Sequence, residues 1–176
     1  ISSVEIIKEE VLKIDPDIRY EESKTLYLSC ESLDTLNPIL SKSEDVFHLS
    51  KLIYNSLFDY DETLNVVPEL VDTYEVNTER GMVSLKLKEG VTWHDGSTFT
   101  AKDIYYTVNA IQYAGNRSLY YDKASRISFV QIKGNYEANL YFKNAYDASL
   151  DDLTFPILPS SQYGSASQLA AAKDNF

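Results

Sequence analysis

The spacing of apolar residues divides the chain into short strands and helices. Val83, Leu85 and Leu87 alternate with polar residues, which predicts a strand with one buried and one solvated face. In all, the alternation predicts strands over residues 26–30, 74–76, 83–88, 127–133 and 138–142. Loops are expected at 77–81 and at Gly134-Asn135, which would join the last four strands into two hairpins.

Two longer stretches have helical spacing instead. In the first stretch the residues predicted to share one helical face are Val46, Ser50, Ile53, Tyr54 and Leu57. The second helix is expected from residue 101 to about 113, with an apolar face made of Ile104, Tyr105, Val108 and Ile111. A polar, aromatic loop should follow over 114–125. Hairpins mixed with helices favour an α+β fold over a regular βαβ array.

Two short helices are expected near the end of the chain. Asp147 is placed to cap a helix that runs through Leu153, and residues 170–173 would begin another. Between them, Pro156 and Pro159 bracket an extended segment, because proline cannot donate a backbone hydrogen bond.

Residues 93–103 (WHDGSTFTAKD) predict a strand end, a tight turn and a helix start. Gly96 supplies the turn, since glycine takes a positive φ without a Cβ penalty. Thr100 can cap the helix that follows, and Asp103 at the third helical position completes a near-capping box.

This run resembles the signature region of the family 5 extracellular solute-binding proteins, the oligopeptide-, dipeptide- and nickel-binding components of ABC importers. Four further pieces resemble family motifs in the same order: residues 36–38 (LNP), 53–58 (IYNSLF), 67–71 (VPELV) and 155–159 (FPILP). Ser56 stands where the family usually has glycine. Together the pieces cover roughly Leu26 to Tyr163.

The resemblance implies the amino-terminal lobe of a periplasmic-binding-protein-like II fold. On this interpretation residues 24–163 form the first-lobe strand and an accessory subdomain. Residues 164–176 begin a truncated helix that returns to the first lobe. Residues 1–23 depart from the family pattern, and we expect a helical extension, either a spacer from an anchor or the tail of a preceding domain. Family members are considerably longer than this chain, so the second lobe is expected to be missing.

The charge balance excludes some partners. With a formal net charge of -11 and a pI near 4.6, the chain would be repelled by nucleic acid and by anionic lipid surfaces. No apolar run approaches the ~20 residues that span a bilayer, so contact with a membrane is expected only through an anchor outside this chain. The single cysteine, Cys30, excludes an internal disulfide, and a small buried thiol is its expected role.

The sequence offers no set of residues with which to build a catalytic or metal centre. Its two histidines, His48 and His94, lack the HExxH spacing, and the lone cysteine lacks a CxxC partner. His94 and Asp95 are adjacent, so in a strand they would point to opposite faces. Phosphate-binding and nucleophile-elbow motifs are also missing from the sequence. We therefore expect a protein that is not an enzyme and carries no cofactor or metal.

Candidate ligand contacts come from the resemblance. In the family, the stretch just after Leu-Asn-Pro lines the ligand cleft, and here Lys42, Ser43 and Glu44 occupy those positions. Glu44 could pair with the ammonium terminus of a peptide, or could simply favour the positive end of a helix. Tyr120, in the loop after the signature helix, matches a second cleft position, although it could equally fill a groove within that loop.

The leading hypothesis is a fragment of a substrate-binding protein that captures oligopeptides or similar small solutes and delivers them to an ABC permease. Such a protein would be extracellular, on the cell surface or periplasmic, and anchored to the membrane in its full-length form. Two alternatives remain open: a solute-binding-like sensor module of a bacterial regulator, and a stand-alone interaction domain. The unusual opening residues 1–23 fit the sensor alternative.

Overall fold

The computed structural model describes Ser29 and residues 34–171, a part of the chain that mixes helices with antiparallel sheet. The helices are α1 (Glu44–Ile53), α2 (Ala101–Ala114), α3 (Tyr121–Ser125) and α4 (Ala166–Leu169). The strands are β1 (Phe58–Tyr60), β2 (Val66–Pro68), β3 (Val71–Asn77), β4 (Met82–Leu87), β5 (Ile127–Ile132) and β6 (Glu137–Phe142). The expectations for residues 1–23, for the strand at 26–30, for Cys30 and for residues 172–173 fall outside the described residues. The helix expected to begin at residue 170 lies earlier, because Ser165 and Gln168 form a capping box that starts α4 at Ala166, and Ala170 already ends it.

The main sheet has the strand order β3-β4-β6-β5, and all its neighbours are antiparallel. Both predicted hairpins are confirmed, β3–β4 and β5–β6. The alternation in β4 is also confirmed, because Val83, Leu85 and Leu87 are buried while Lys86 is exposed. The strands β1 and β2 form a separate two-stranded sheet.

Helix α2 packs on the main sheet, but its buried face differs from the prediction. Ile104, Val108 and Ile111 are buried as expected, whereas Tyr105 is 49% exposed and the neighbouring Tyr106 is only 7% exposed. Successive residues on a helix are about 100° apart, and α2 packs against α4 as well as the sheet. The buried face of α2 therefore extends to the side of the helix that carries Tyr106.

Helix α1 is shorter than the apolar spacing predicted. Val46 and Ser50 are buried on it, but it ends at Ile53, and Tyr54 is already extended with φ −121° and ψ 129°. Leu57 is buried in the extended segment that follows, not on the helix. The helix stops here because the next residues pair with another part of the chain: Ser56 bridges Pro156 in antiparallel fashion.

Two other local predictions are wrong. The loop expected over 114–125 contains a 3₁₀ turn, Gly115–Arg117, and the helix α3, which at five residues is too short to show a periodic pattern. The cap of the 3₁₀ turn Leu150–Leu153 is Ser149, whose hydroxyl accepts a hydrogen bond from the Asp151 amide at 3.3 Å. Asp147 instead ends the preceding turn, Ala145–Asp147.

The turn and cap predicted over residues 93–103 are confirmed. Gly96 has φ +83°, and the Trp93 amide donates to the Ser97 carbonyl oxygen at 2.8 Å. The Asp103 carboxylate accepts a hydrogen bond from the Thr100 amide at 2.8 Å, which completes the capping box. The same carboxylate also accepts from the amide of Ser160, 57 residues later, at 2.8 Å.

The two ends of the described chain meet. The side-chain amide of Asn37 donates to the Leu169 carbonyl oxygen at 3.0 Å, and its oxygen accepts from the Ile39 amide at 3.1 Å. Nearby, the Ile157 amide donates to the Asn55 carbonyl oxygen at 3.0 Å. The loop before α1 is thereby held beside α4.

Candidate ligand-binding site

The loop before α1 is organised by Asp34. Its carboxylate accepts hydrogen bonds from the Thr35 amide, the Ser41 hydroxyl and the Lys42 amide, at 2.8, 2.5 and 2.8 Å. Burial alone would raise the pKa of Asp34, but the hydrogen bonds from Lys42 and Ser41 outweigh it and lower the pKa below its ordinary value. Asp34 therefore stays ionised and fixes the backbone of the segment that carries the predicted ligand contacts.

Lys42, Ser43 and Glu44 follow one another at the start of α1. Ser43 precedes the first helical residue without capping the helix through its side chain. Glu44 opens the helix with its side chain 91% exposed, and its Oε1 lies 3.7 Å from Nε2 of His48 one turn later. This position suits the helix-dipole interpretation of Glu44, and it also leaves the carboxylate open to an external cation.

Lys42 and Tyr120 line separate depressions. Lys42 borders a shallow one of ≈ 260 Å³ together with Asp34, Leu40 and Arg117. Tyr120 lies in a groove of ≈ 140 Å³ between α1 and the start of α3, which we call the α1–α3 groove. The four predicted contact residues therefore do not converge on one pocket within the part of the chain that the structure describes.

One wall of the α1–α3 groove is a face of α1 and the other comes from the α3 region. Phe47, Ser50 and Lys51, spaced at i, i+3 and i+4, form the first wall, while Tyr120 and Lys123 belong to the second. The helical spacing of the first three could have been recognised from the sequence.

The remaining lining comes from segments distant in sequence. Tyr54 and Ser56 follow α1, Tyr60 ends β1, and Thr154 and Pro156 come from the extended segment near the carboxyl end. The bridge between Ser56 and Pro156 brings these two parts of the chain together. Sequence reasoning missed this lining because nothing local to residues 54–60 indicates contact with residues 154–156.

Two tyrosines of the groove have raised pKa values. Desolvation by burial raises the pKa of the Tyr120 hydroxyl to about 12. Burial also raises the pKa of Tyr54, and the hydrogen bond between its hydroxyl and that of Tyr163, at 3.1 Å, raises it further. At neutral pH both hydroxyls keep their protons, as ordinary tyrosines do, and can donate hydrogen bonds.

Two lysines flank the groove. Nζ of Lys51 donates to the Asp59 carboxylate at 2.8 Å and lies 5.8 Å from the Phe47 ring centroid. Nζ of Lys123 donates to the Thr154 hydroxyl at 2.7 Å and to the Asp151 carbonyl oxygen at 3.1 Å. Both ammonium groups are thus oriented by neighbours that belong to the fold.

The described residues do not form a metal-binding cluster. Over residues 34–171, no group of three or more His, Cys, Asp or Glu side chains is placed to hold an ion. His94 is exposed in the turn after Trp93. Within the same range, none of the helices combines the length and apolar character required to traverse a lipid bilayer.

Sequence comparison identifies the family. The pattern of the bacterial extracellular solute-binding proteins, family 5 Middle, matches residues 65–175. The chain belongs to this family. The family 5 signature that the sequence resembles, with the turn at Gly96 and the cap at Thr100, lies within the matched range.

Curated relatives of this family 5 protein are binding components of transporters. The glutathione-binding protein GsiB of Pectobacterium atrosepticum is 27% identical over 139 residues, covering 76% of this chain and 26% of that protein. The oligopeptide-binding protein AppA of Bacillus subtilis is 29% identical over 135 residues, covering 73% of this chain and 24% of AppA. The chain thus spans about a quarter of the length of the curated relatives it matches.

Solved structures give the same fold. NikZ from Campylobacter jejuni, in complex with Ni(L-His), superposes with a TM-score of 0.68 at 23% identity, covering 79% of this chain and 28% of NikZ. AppA from Bacillus subtilis, in complex with a nonapeptide, gives 0.66 at 24% identity, covering 81% of this chain and 29% of AppA. The α+β fold of the periplasmic-binding-protein-like II type is therefore confirmed.

Proposed function

We propose that this chain is the amino-terminal part of a substrate-binding protein that captures oligopeptides or similar small solutes and delivers them to the membrane permease of an ABC importer. The match to the family pattern over residues 65–175 carries the proposal. The names of the relatives, glutathione-binding and oligopeptide-binding, indicate the class of solute. The full-length protein would act outside the cytoplasmic membrane and be tethered to it.

We also propose a division of the chain. Residues 24–163 would form the first-lobe strand and accessory subdomain, residues 164–176 would begin the return to the first lobe, and residues 1–23 would be an extension. The hydrogen bond from Asn37 to Leu169 supports the return, because it ties the segment before α1 to α4.

Lys42, Ser43, Glu44 and Tyr120 remain our proposed ligand contacts. Glu44 is exposed at the start of α1, where it can reach an ammonium group. Tyr120 keeps its hydroxyl proton and lines the α1–α3 groove. Both positions suit the wall of a cleft whose other wall would come from a second lobe.

The decisive experiment is recovery of the protein from its native cell. Antibodies raised against this chain would capture the full-length polypeptide from a gently solubilised envelope fraction, and mass spectrometry would identify released small molecules and co-purifying subunits. We expect short peptides or similarly small solutes, together with permease subunits. Capture of a polypeptide that carries a DNA-binding helix-turn-helix would favour the sensor alternative and contradict the transport function.

A further inference from the structure

We propose that the α1–α3 groove is a selectivity pocket for solutes that carry an aromatic ring beside a carboxylate. The inference rests on the proposed function, because the groove would then belong to the ligand-facing wall. It goes further in naming the chemical group that this protein would select. Three properties of the groove carry it: its volume, its aromatic lining and its two lysine donors.

The volume suits one aromatic ring. The groove measures ≈ 140 Å³, and an apolar cavity of about 150 Å³ engineered in another protein is known to bind benzene. The rings of Phe47, Tyr60 and Tyr120 are part of the lining. Aromatic side chains favour edge-to-face and offset-stacked contact with another ring. Such contacts add to the binding free energy that a phenyl group gains from burial of its surface.

The charged side chains that line the groove are two lysines. Among the described lining residues they are Lys51 and Lys123, and each lies beside a carboxylate: Nζ of Lys51 is 2.8 Å from Asp59, and Nζ of Lys123 is 4.0 Å from Asp151. The local charge is therefore balanced, and what the lysines offer a ligand carboxylate is a direct hydrogen bond from an ammonium donor.

Each lysine retains donor capacity for a ligand. An ammonium group has three donors. Lys51 directs its bonds to one carboxylate, that of Asp59. Lys123 donates to two neutral oxygens, and its contact with Oδ2 of Asp151 is 4.0 Å, too long for a hydrogen bond. A ligand carboxylate can therefore be accepted without breaking the bonds that hold either lysine.

Tyr120 adds a neutral donor next to the ring site. Its hydroxyl is protonated at neutral pH, as in an ordinary tyrosine, and desolvation raises its pKa further, to about 12. Its backbone amide is held by the Ser118 hydroxyl at 3.2 Å, which fixes the start of α3. The ring can contact a ligand's phenyl group while the hydroxyl donates to a neighbouring oxygen.

The test uses three probes with the same phenylpropyl skeleton and different charge. 3-Phenylpropanoate, the neutral 3-phenylpropanamide and the cationic 3-phenylpropylamine would be titrated into the 176-residue protein by ligand-observed NMR. We expect saturable, millimolar binding of the carboxylate, because the probe is small. Loss of a hydrogen bond to a charged group should make the amide about tenfold weaker, and the amine should show no saturable binding.

Variants locate the binding. Lys51→Gln should weaken the carboxylate probe severalfold and leave the amide unchanged, whereas Lys102→Gln, on the exposed side of α2, should change neither. Tyr120→Ala should weaken both probes, with Tyr113→Ala, 64% exposed on α2, as its control. Thermal melts of each variant would separate lost binding from lost folding, and Tyr120→Phe keeps the ring while removing only the hydroxyl.

Three results would overturn the proposal: equal affinity for carboxylate and amide, binding that survives Lys51→Gln and Tyr120→Ala unchanged, or no saturable binding of the carboxylate by the folded protein. None of these results bears on whether the native protein carries a solute and a permease. The selectivity pocket can therefore fail while the proposed transport function stands.

Discussion

Asn37 shows how one side chain can connect two segments that are distant in sequence. It is fully buried, donates to the Leu169 carbonyl oxygen and accepts from the Ile39 amide. Asn37→Ala would remove both bonds and leave a carbonyl and an amide buried without those partners. We expect a loss of about 2 kcal/mol in the free energy of unfolding, measured by urea denaturation.

The matched control for this change is Asn116→Ala, since Asn116 is an exposed asparagine. It should alter the free energy of unfolding by less than about 0.5 kcal/mol. Equal effects of the two substitutions would mean that the Asn37 bonds do not fasten the loop before α1 to α4.

Asp95 gives a prediction about pH. Hydrogen bonds from the hydroxyl of Ser97, the side-chain amide of Gln162 and the amide of Ser97 lower the pKa of Asp95 from 3.8 to about 2. Because the folded-state pKa is depressed, the contribution of Asp95 to stability is complete above pH 3.8 and is lost as the pH falls to about 2. Wild type should therefore be more stable than Asp95→Asn at pH 5, and the difference should shrink between pH 3.8 and 2.

The microscopic check is the carboxyl ¹³C shift of Asp95 in a pH titration. Ser97→Ala should raise the midpoint most, and Gln162→Ala should raise it less, because the Ser97 hydroxyl is the largest cause of the shift. A midpoint that stays unchanged in both variants would show that these bonds do not set the pKa.

At the scale of elements, the β3–β4 hairpin depends on a glycine for two reasons. Gly81 has φ +58°, and a Cβ placed on it would lie 2.7 Å from Cα of Ala145. Gly90 has φ +76° but open space around that position. Gly81→Ala and Gly90→Ala therefore share the conformational cost of a positive φ, and only Gly81→Ala adds a clash with backbone.

We expect Gly81→Ala to lower the free energy of unfolding by at least about 1 kcal/mol more than Gly90→Ala. Chemical denaturation of the two variants beside wild type measures the difference directly. Similar losses in both would mean that the segment near Ala145 moves aside at little cost.

The elements also show where sequence reasoning succeeds. The hairpins and α2 were predictable because alternation, glycine turns and the capping pair Thr100 and Asp103 are all local signals. The second bond of Asp103, to the Ser160 amide, joins residues 57 positions apart and has no local signature. The early end of α1 was missed for the same reason, since the pairing of Ser56 with Pro156 decides it.

The candidate site was likewise predictable where the signals are local, and unpredictable where distant segments of the chain meet. Tyr120 was accessible from the sequence through family resemblance, and Phe47 and Lys51 lie at a helical spacing that the pattern contains. The far side of the groove, from Thr154 and Pro156, depends on two chain segments that meet only in the folded protein. Which residues share a groove is thus a tertiary property, even where each residue's element is local.

At the scale of the molecule, the described part of the chain supplies the sides of a ligand-binding site but does not enclose a ligand. The depressions beside Lys42 and Tyr120 are separate, and the chain spans about a quarter of its curated relatives. Binding sites for small molecules normally bury most of the ligand's surface. One lobe surface would leave a peptide's backbone groups in water on one side and retain only side-chain contacts.

We therefore expect the 176-residue chain to bind peptides weakly or not at all. Isothermal titration with a pool of peptides two to nine residues long should give affinities at least about 100-fold weaker than those of a binding protein that closes both lobes, which corresponds to about 2.8 kcal/mol. Peptides that end in phenylalanine should rank first, because their ring and terminal carboxylate match the α1–α3 groove. Submicromolar binding of any short peptide to this chain alone would show that its surface already forms a complete site, and the two-lobe interpretation would have to be abandoned.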